Sequence, residues 1–316
     1  MDAAPSIAGL LERVPAWVGR AVEWRRLEGG LSHHIFRVDV DGETYVLRVL
    51  DPSVQTTGLG IDPALEVANT QIAAATGAGP RVLHVMPDVP AIVIEFLPGR
   101  TLGADDVRQP DMVPKIARAC RKLHSGAPFA NDFDIFVKRD ELLGICARHD
   151  LPLPDGYLDY TPTVRAVQAA LNGNPLAARP CHNDLLAENF IAGDEEVRIV
   201  DYQLSGNNDP TFELGDIAAE ADYHPELVGL LTHEYFKQES TKALEARVRL
   251  YLLASNVTWT LWFTVHHGLL PGSAAVYFDY DAEAADKWAQ ARRDLDDPGL
   301  GRLLDVVSGR IPTPNK

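Results

Sequence analysis

Residues 182–189 read HNDLLAEN, and two of them, Asp184 and Asn189, are spaced for chemistry. An aspartate and an asparagine five residues apart on a tight loop can face one cleft from two sides. Phosphoryl transfer to an alcohol needs an acceptor for the hydroxyl proton and ligands for the metal ions that neutralise phosphate charge. Asp184 suits the first task and Asn189 the second. Twelve residues further on, the β-branched run EVRIV ends at Asp201, a carboxylate delivered by a strand end and suited to magnesium. His182 reads as a residue that holds the loop, because a second proton acceptor beside Asp184 is redundant. Cys181 reads as a small buried apolar residue rather than a nucleophile.

The elements that position these groups follow from periodicity and turn chemistry. HIFRVDVDGETYVLRVL is two runs of β-branched and aromatic residues around an Asp-Gly turn, which predicts a hairpin. The two glycines of LEGGLSHH, just before it, let the backbone bend sharply. In IDPALEVANTQIAAATGAG, Asp62 is an N-cap, Pro63 the first helical residue and Gly77 or Gly79 the stop. RVLHVM and AIVIEFL predict two more strands, and PGR breaks the chain after them. The boundary between a sheet lobe, residues 1–97, and a mainly helical lobe, residues 98–316, is placed there. Ile116, Cys120 and Leu123 share one helix face, and short strands return at ENFIAG and EVRIVDY. After Asp216 the pattern is helical almost to the end, with breaks at PEL and PGS. The fold class is therefore α+β.

Composition narrows the function. A chain of 316 residues, 46% hydrophobic, can bury a substantial core. Its formal net charge of −16 repels nucleic acid and favours a small cationic partner. Cys120, Cys146 and Cys181 form no CxxC pair, which fits a reducing cytoplasm. MDAAPSIAGLLERVPAW lacks the basic start and apolar run of a signal peptide. The apolar stretch from Tyr251 to Val265 is too short to span a bilayer and carries Ser255 and Asn256, so it predicts a buried helix and no membrane partner.

HNDLLAEN fits H-x-D-L-x-x-x-N, the catalytic-loop pattern of protein kinases and their relatives. PCHNDLLAENFI followed by RIVDYQLSGNNDPTFELGD closely resembles the choline/ethanolamine kinase branch of the aminoglycoside-phosphotransferase-like kinases. RKLHS and GAPFANDFDIF add to the resemblance, which runs from about Gly29 to the tail. It implies a bilobal protein-kinase-like fold with ATP in the cleft and Mg2+ on Asn189 and Asp201. It implies that Gly29, Gly30 and Ser32 cover the phosphates and that backbone groups of Glu95 and Leu97 meet the adenine. It implies that Glu66 pairs with the phosphate-binding cation. No lysine precedes Lys115; Arg48 stands in the strand where such kinases usually carry lysine. Arg48 alternates with Leu47 and Val49, so it faces the cleft, and its guanidinium can hold phosphates bidentately. Asp209 is taken as a buttress of the catalytic loop and Asp216 as structural.

Trp259 and Trp262, three residues apart, fall on one helix face. Alone they read as a core stripe. The resemblance makes them a cage for a cationic head, with Glu220 as its acid and Tyr223 and Tyr202 in its wall. After the metal aspartate such kinases usually have an aromatic residue, Glu and Tyr; here the run is Tyr202, Gln203 and Leu204. The expected activity is ATP- and Mg2+-dependent phosphorylation of choline or a related amino alcohol. The alternatives are an antibiotic or amino-sugar phosphotransferase on the same fold and a non-catalytic nucleotide-binding protein.

Overall fold

The computed structural model describes residues 6–27, 33–86, 89–270 and 278–310. Gly29, Gly30 and Ser32 lie outside the described residues. Five strands form an antiparallel sheet: β1 (Val22–Arg26), β2 (His34–Val40), β3 (Glu43–Val49), β4 (Val82–Met86) and β5 (Ala91–Glu95). Their spatial order is β1-β2-β3-β5-β4. The hairpin β2–β3 closes at Asp41 and Gly42, with φ of 51° and 86°. Positive φ at both turn residues matches the right-handed strand twist, and glycine meets that demand without strain. The register sets Arg48 between Ile35 and Ile92.

Because side chains alternate along β3, Leu47 and Arg48 face opposite sides of the sheet. Leu47 packs with Phe36, Val38, Val93 and Trp17 under the N-terminal segment. Arg48 meets the helix Pro63–Thr76 on the other side. That helix starts as its sequence dictates: Asp62 accepts a hydrogen bond from Ala64 N at 2.8 Å. It ends at Gly77, whose φ is 77°. Glu66 in its first turn is buried against Arg48.

The rest is mainly helical. The helix Lys242–Leu269 is its spine. It is longer than the apolar run Tyr251–Val265, because its first turns present a buried face of Ala246, Val248 and Leu250 among polar residues. Pro210–Glu220, Ile135–Arg148 and Tyr280–Leu295 pack against it. Short strands fix the ends of the loop 182–189. Arg179–Cys181 joins Gly206–Asn208, and Phe190–Ala192 joins Val197–Ile199 and Arg100–Thr101. The three cysteines are buried and unpaired. Among the described residues no helix is long and apolar enough to cross a membrane.

Candidate active site

The loop 182–189 is held by bonds to its backbone, which leave the Asp184 side chain to the cleft. Asn189 Nδ2 donates to the Asp184 carbonyl at 2.7 Å, closing the loop across its own ends. Asn183 adopts a left-handed φ of 65°, which asparagine tolerates. Its amide donates to the Leu204 carbonyl at 3.1 Å and the Gly206 carbonyl at 3.2 Å. Glu213 accepts from His182 N at 2.8 Å and Asn183 N at 2.7 Å, and Asp216 accepts from Leu185 N at 2.8 Å. His182 Nε2 donates to the Val200 carbonyl at 2.8 Å, tying the loop to the residue before Asp201. Burial lowers the His182 pKa, so the ring is held neutral.

Asp184 stands half-buried in the cleft, with the Gln203 amide 3.5 Å from its carboxylate. Burial first, then the charges of Asp216, Glu220 and Asp201, push its carboxyl well above the usual range. A carboxylate of raised basicity is the better acceptor for an alcohol proton.

Arg48 links two acids from different elements. Its Nη1 lies 2.9 Å from Glu66 Oε1, and its Nη2 pairs with Asp201 Oδ1. Burial would raise the Asp201 carboxyl, but the neighbouring Arg48 guanidinium outweighs that and holds it low. Asp201 takes a left-handed φ of 70°, which turns its side chain into the cleft. His33, singled out by no sequence signal, joins this group. Its Nδ1 accepts from Asp51 N at 3.0 Å, so Nε2 carries the proton and lies 3.6 Å from Glu66.

Oxygen donors suit magnesium. The Asn189 amide nitrogen is already used, which leaves its oxygen for a cation. Asp201 keeps Oδ2 beyond the oxygen that Arg48 takes. The residues present therefore fit a hard divalent ion at Asn189 and Asp201.

Beside these groups lies a cavity of about 420 Å³. Among the described residues, five carboxylates line it (Asp184, Glu188, Asp201, Glu220 and Glu283) together with Trp259, Trp262, Phe263 and Phe278. The two indoles are anchored by their N–H groups. Trp259 Nε1 donates to Asp216 at 2.7 Å and Trp262 Nε1 to the Leu59 carbonyl at 2.9 Å. Glu220 is paired with Lys287 at 3.0 Å. Glu283, Phe263 and Phe278 are missed by sequence reasoning; only the i+4 spacing of Trp259 and Phe263 hinted at one of them.

Three expected placements are corrected. Tyr202 is fully buried, edge-on to His182 with centroids 4.9 Å apart, and does not line the cavity. The chain alternates here: Asp201 and Gln203 face the cleft, and Tyr202 between them faces the core. Tyr223 is also buried and gives its hydroxyl to the Val107 carbonyl. The positive φ of 45° at Asp222 swings the chain away from the cavity after the helix ends. Asp209 caps the helix Pro210–Glu220 through Thr211 N at 2.8 Å and pairs with Arg247 at 2.9 Å. Its carboxylate is consumed there, so the loop 182–189 is braced by Glu213 and Asp216 instead. Glu95 ends β5, and its carboxylate accepts from Arg81 N at 3.1 Å and Arg198 Nη1 at 3.2 Å. Leu97 is buried behind it.

Comparison with known proteins identifies the family and the fold. Residues 24–242 match the family described as choline/ethanolamine kinase. "Protein LicA" of Haemophilus influenzae is 26% identical over 254 residues, covering 76% of this chain and 73% of its own. The crystal structure of a choline/ethanolamine kinase family protein from Mesorhizobium loti superposes with a TM-score of 0.82 at 30% identity, over 95% of this chain and 97% of that one. A spectinomycin phosphotransferase solved with ADP and spectinomycin shares the fold, with a TM-score of 0.56 at 10% identity over 96% of this chain and 98% of its own.

Proposed function

The chain belongs to the choline/ethanolamine kinase family, phosphotransferases that act on an alcohol, and from that premise we propose that it phosphorylates the hydroxyl of choline or a related amino alcohol with ATP and Mg2+. Asp184 takes the hydroxyl proton as the acceptor oxygen bonds to the γ-phosphorus and the bond to the β-phosphate oxygen breaks, releasing ADP. Asn189 and Asp201 would hold magnesium, which neutralises phosphate charge when bound. Arg48, steadied by Glu66, orients the phosphates. Backbone groups of Glu95 and Leu97 meet the adenine, in a cleft between a sheet lobe ending near residue 97 and the helical remainder. Gly29, Gly30 and Ser32, outside the described residues, are assigned to the phosphates by the family resemblance alone.

One observation carries the acceptor assignment: five carboxylates and four aromatic side chains converge on a single small cavity at Asp184. Aromatic faces and carboxylates recognise an ammonium group, including one with no hydrogen to donate. An aminoglycoside has several linked rings and needs a wider cleft than about 420 Å³ with four aromatic walls. ADP release with Mg-ATP, measured against choline, ethanolamine, its N-methyl forms, amino sugars and aminoglycosides, tests the reading. Turnover confined to aminoglycosides or amino sugars would replace it.

Two variants sharpen the assignment. Trp259→Ala is expected to raise KM for the amino alcohol about tenfold, from lost cation–π and packing contacts, with KM for ATP little changed. Equal effects on both substrates would make Trp259 a core residue only. Arg48→Met leaves Glu66 and Asp201 as buried carboxylates without their cation, and is expected to cost about 3–5 kcal/mol of stability in urea unfolding. Arg48→Lys keeps the charge but loses the planar fork. Its stability should fall less than that of Arg48→Met while KM for ATP still rises.

A further inference from the structure

The carboxylates of the cavity are not equally available to a bound cation. Asp184 serves the hydroxyl, and Asp201 is paired with Arg48. Glu188 is exposed, where solvent and salt screen it. Glu220 already has a cation: Lys287 Nζ lies 3.0 Å from its Oε2, with the side chains 1% and 7% exposed. Lys287 Nζ also donates to the Ala219 carbonyl at 3.2 Å, so the ammonium is fixed on the helix Pro210–Glu220. A buried pair of this kind is neutral as a unit.

Glu283 is different. It sits in the first turn of the helix Tyr280–Leu295, half-buried, and lines the cavity beside Phe278, Phe263 and Trp262. Among the described residues its carboxylate has no hydrogen-bond partner. Lys287 lies one turn along the same helix but is committed to Glu220. Gln203 contributes only an uncharged amide to the same cavity, so Glu283 is a carboxylate there that neither a cation nor the hydroxyl claims.

We propose that Glu283 is the counter-ion that selects a cationic acceptor, and that Lys287 withholds Glu220 from that role by pairing with it. This rests on reading the cavity as the acceptor site. Burial holds the Glu283 carboxyl above its ordinary range, opposed by Lys287 and reinforced by Glu220, Asp286 and Glu188. Such a group gains most from a cation brought next to it.

The test is a binding measurement that needs no turnover. Choline and its uncharged carbon analogue, with tert-butyl in place of trimethylammonium, are titrated by tryptophan fluorescence into the full chain with Mg-ADP. The wild type is expected to prefer choline by about tenfold or more. Glu283→Gln should abolish most of that preference by weakening choline alone, leaving the neutral analogue within about twofold. The double variant Glu220→Gln/Lys287→Met removes the neutral pair and should keep the preference. Should the double variant fail to fold by circular dichroism, Glu283→Gln with the two ligands decides alone. A preference that survives Glu283→Gln, a loss of preference in a folded double variant, or a wild type without preference overturns the inference. Glu283-dependent choline binding without ADP release on adding ATP overturns the proposed reaction and upholds this one.

Discussion

Asp184→Ala is expected to lower kcat by about 10³-fold while KM for ATP stays within about twofold. The alanine removes the carboxylate that lies beside Gln203 in the acceptor cavity. It leaves the loop itself intact, because the structural bond from Asn189 goes to the Asp184 backbone carbonyl, which alanine keeps. Asn189, Asp201 and Arg48 stay in place, so nucleotide and metal binding persist. Single-turnover rates and ATP titration of the same variant separate the two effects. Turnover at the wild-type rate would remove Asp184 from the mechanism. A parallel loss of ATP binding would mean that it shapes the nucleotide site instead.

Asp216→Ala is expected to cost about 3–5 kcal/mol of stability and, in the protein that still folds, to damage the acceptor side only. Gly215 makes this residue's reach possible. A Cβ at Gly215 would lie 2.7 Å from Leu252 N and 2.8 Å from the Val248 carbonyl, so only glycine lets the two helices approach this closely. Asp216 then accepts from Leu185 N on one oxygen and from Ser255 Oγ at 2.8 Å and Trp259 Nε1 at 2.7 Å on the other. One carboxylate thus fixes the residue next to Asp184 and an indole of the acceptor cavity. Alanine leaves three buried donors without a partner. A loop displaced by about an ångström can cost about 10²-fold in rate. The expected kinetic signature is a lower kcat and a higher KM for the amino alcohol, with KM for ATP unchanged. A uniform loss of both substrates would reduce Asp216 to a folding residue.

The same group predicts a pH dependence. Burial, then Glu220, push the Asp216 carboxyl up to about 7 from its ordinary 3.8, against the three donors that favour its charge. A folded-state value raised in this way contributes stability that is full below about pH 4 and is lost as pH rises through about 7. Wild-type unfolding free energy should therefore fall between pH 5 and pH 8 relative to Asp216→Asn, which has no proton to lose there. Parallel pH profiles of the two proteins would sink the idea.

The loop that carries Asp184 and Asn189, and the strand end at Asp201, were readable in the sequence for a local reason. Asp184 and Asn189 lie within one loop closed by its own bond, and Asp201 ends a short strand that pairs with the strand leaving that loop. Spacing along the chain fixes such groups before any distant contact forms. The hairpin turn at Asp41-Gly42 and the capped helix at Asp62-Pro63 were readable in the same way, since backbone dihedrals and caps are properties of a few neighbouring residues. Arg48 could be assigned to the cleft because alternation along a strand is also local.

The acceptor cavity was only half readable. Trp259 and Trp262 share a helix face, yet that face could equally have met the core. Tyr202 and Tyr223 show the opposite outcome: aromatic residues beside functional acids that went into the interior. Glu283 and Lys287 lie more than 60 residues beyond Glu220 and come to it only because two helices pack on the same spine. The role of Asp216 depended on the closeness that Gly215 allows. The sequence by itself determined the phosphotransferase family, because the motif that marks it sits on short loops with fixed spacing. Only the tertiary structure decided which side chains face the acceptor and which carboxylates are already paired, because burial and ion pairing arise between segments that the chain order keeps apart.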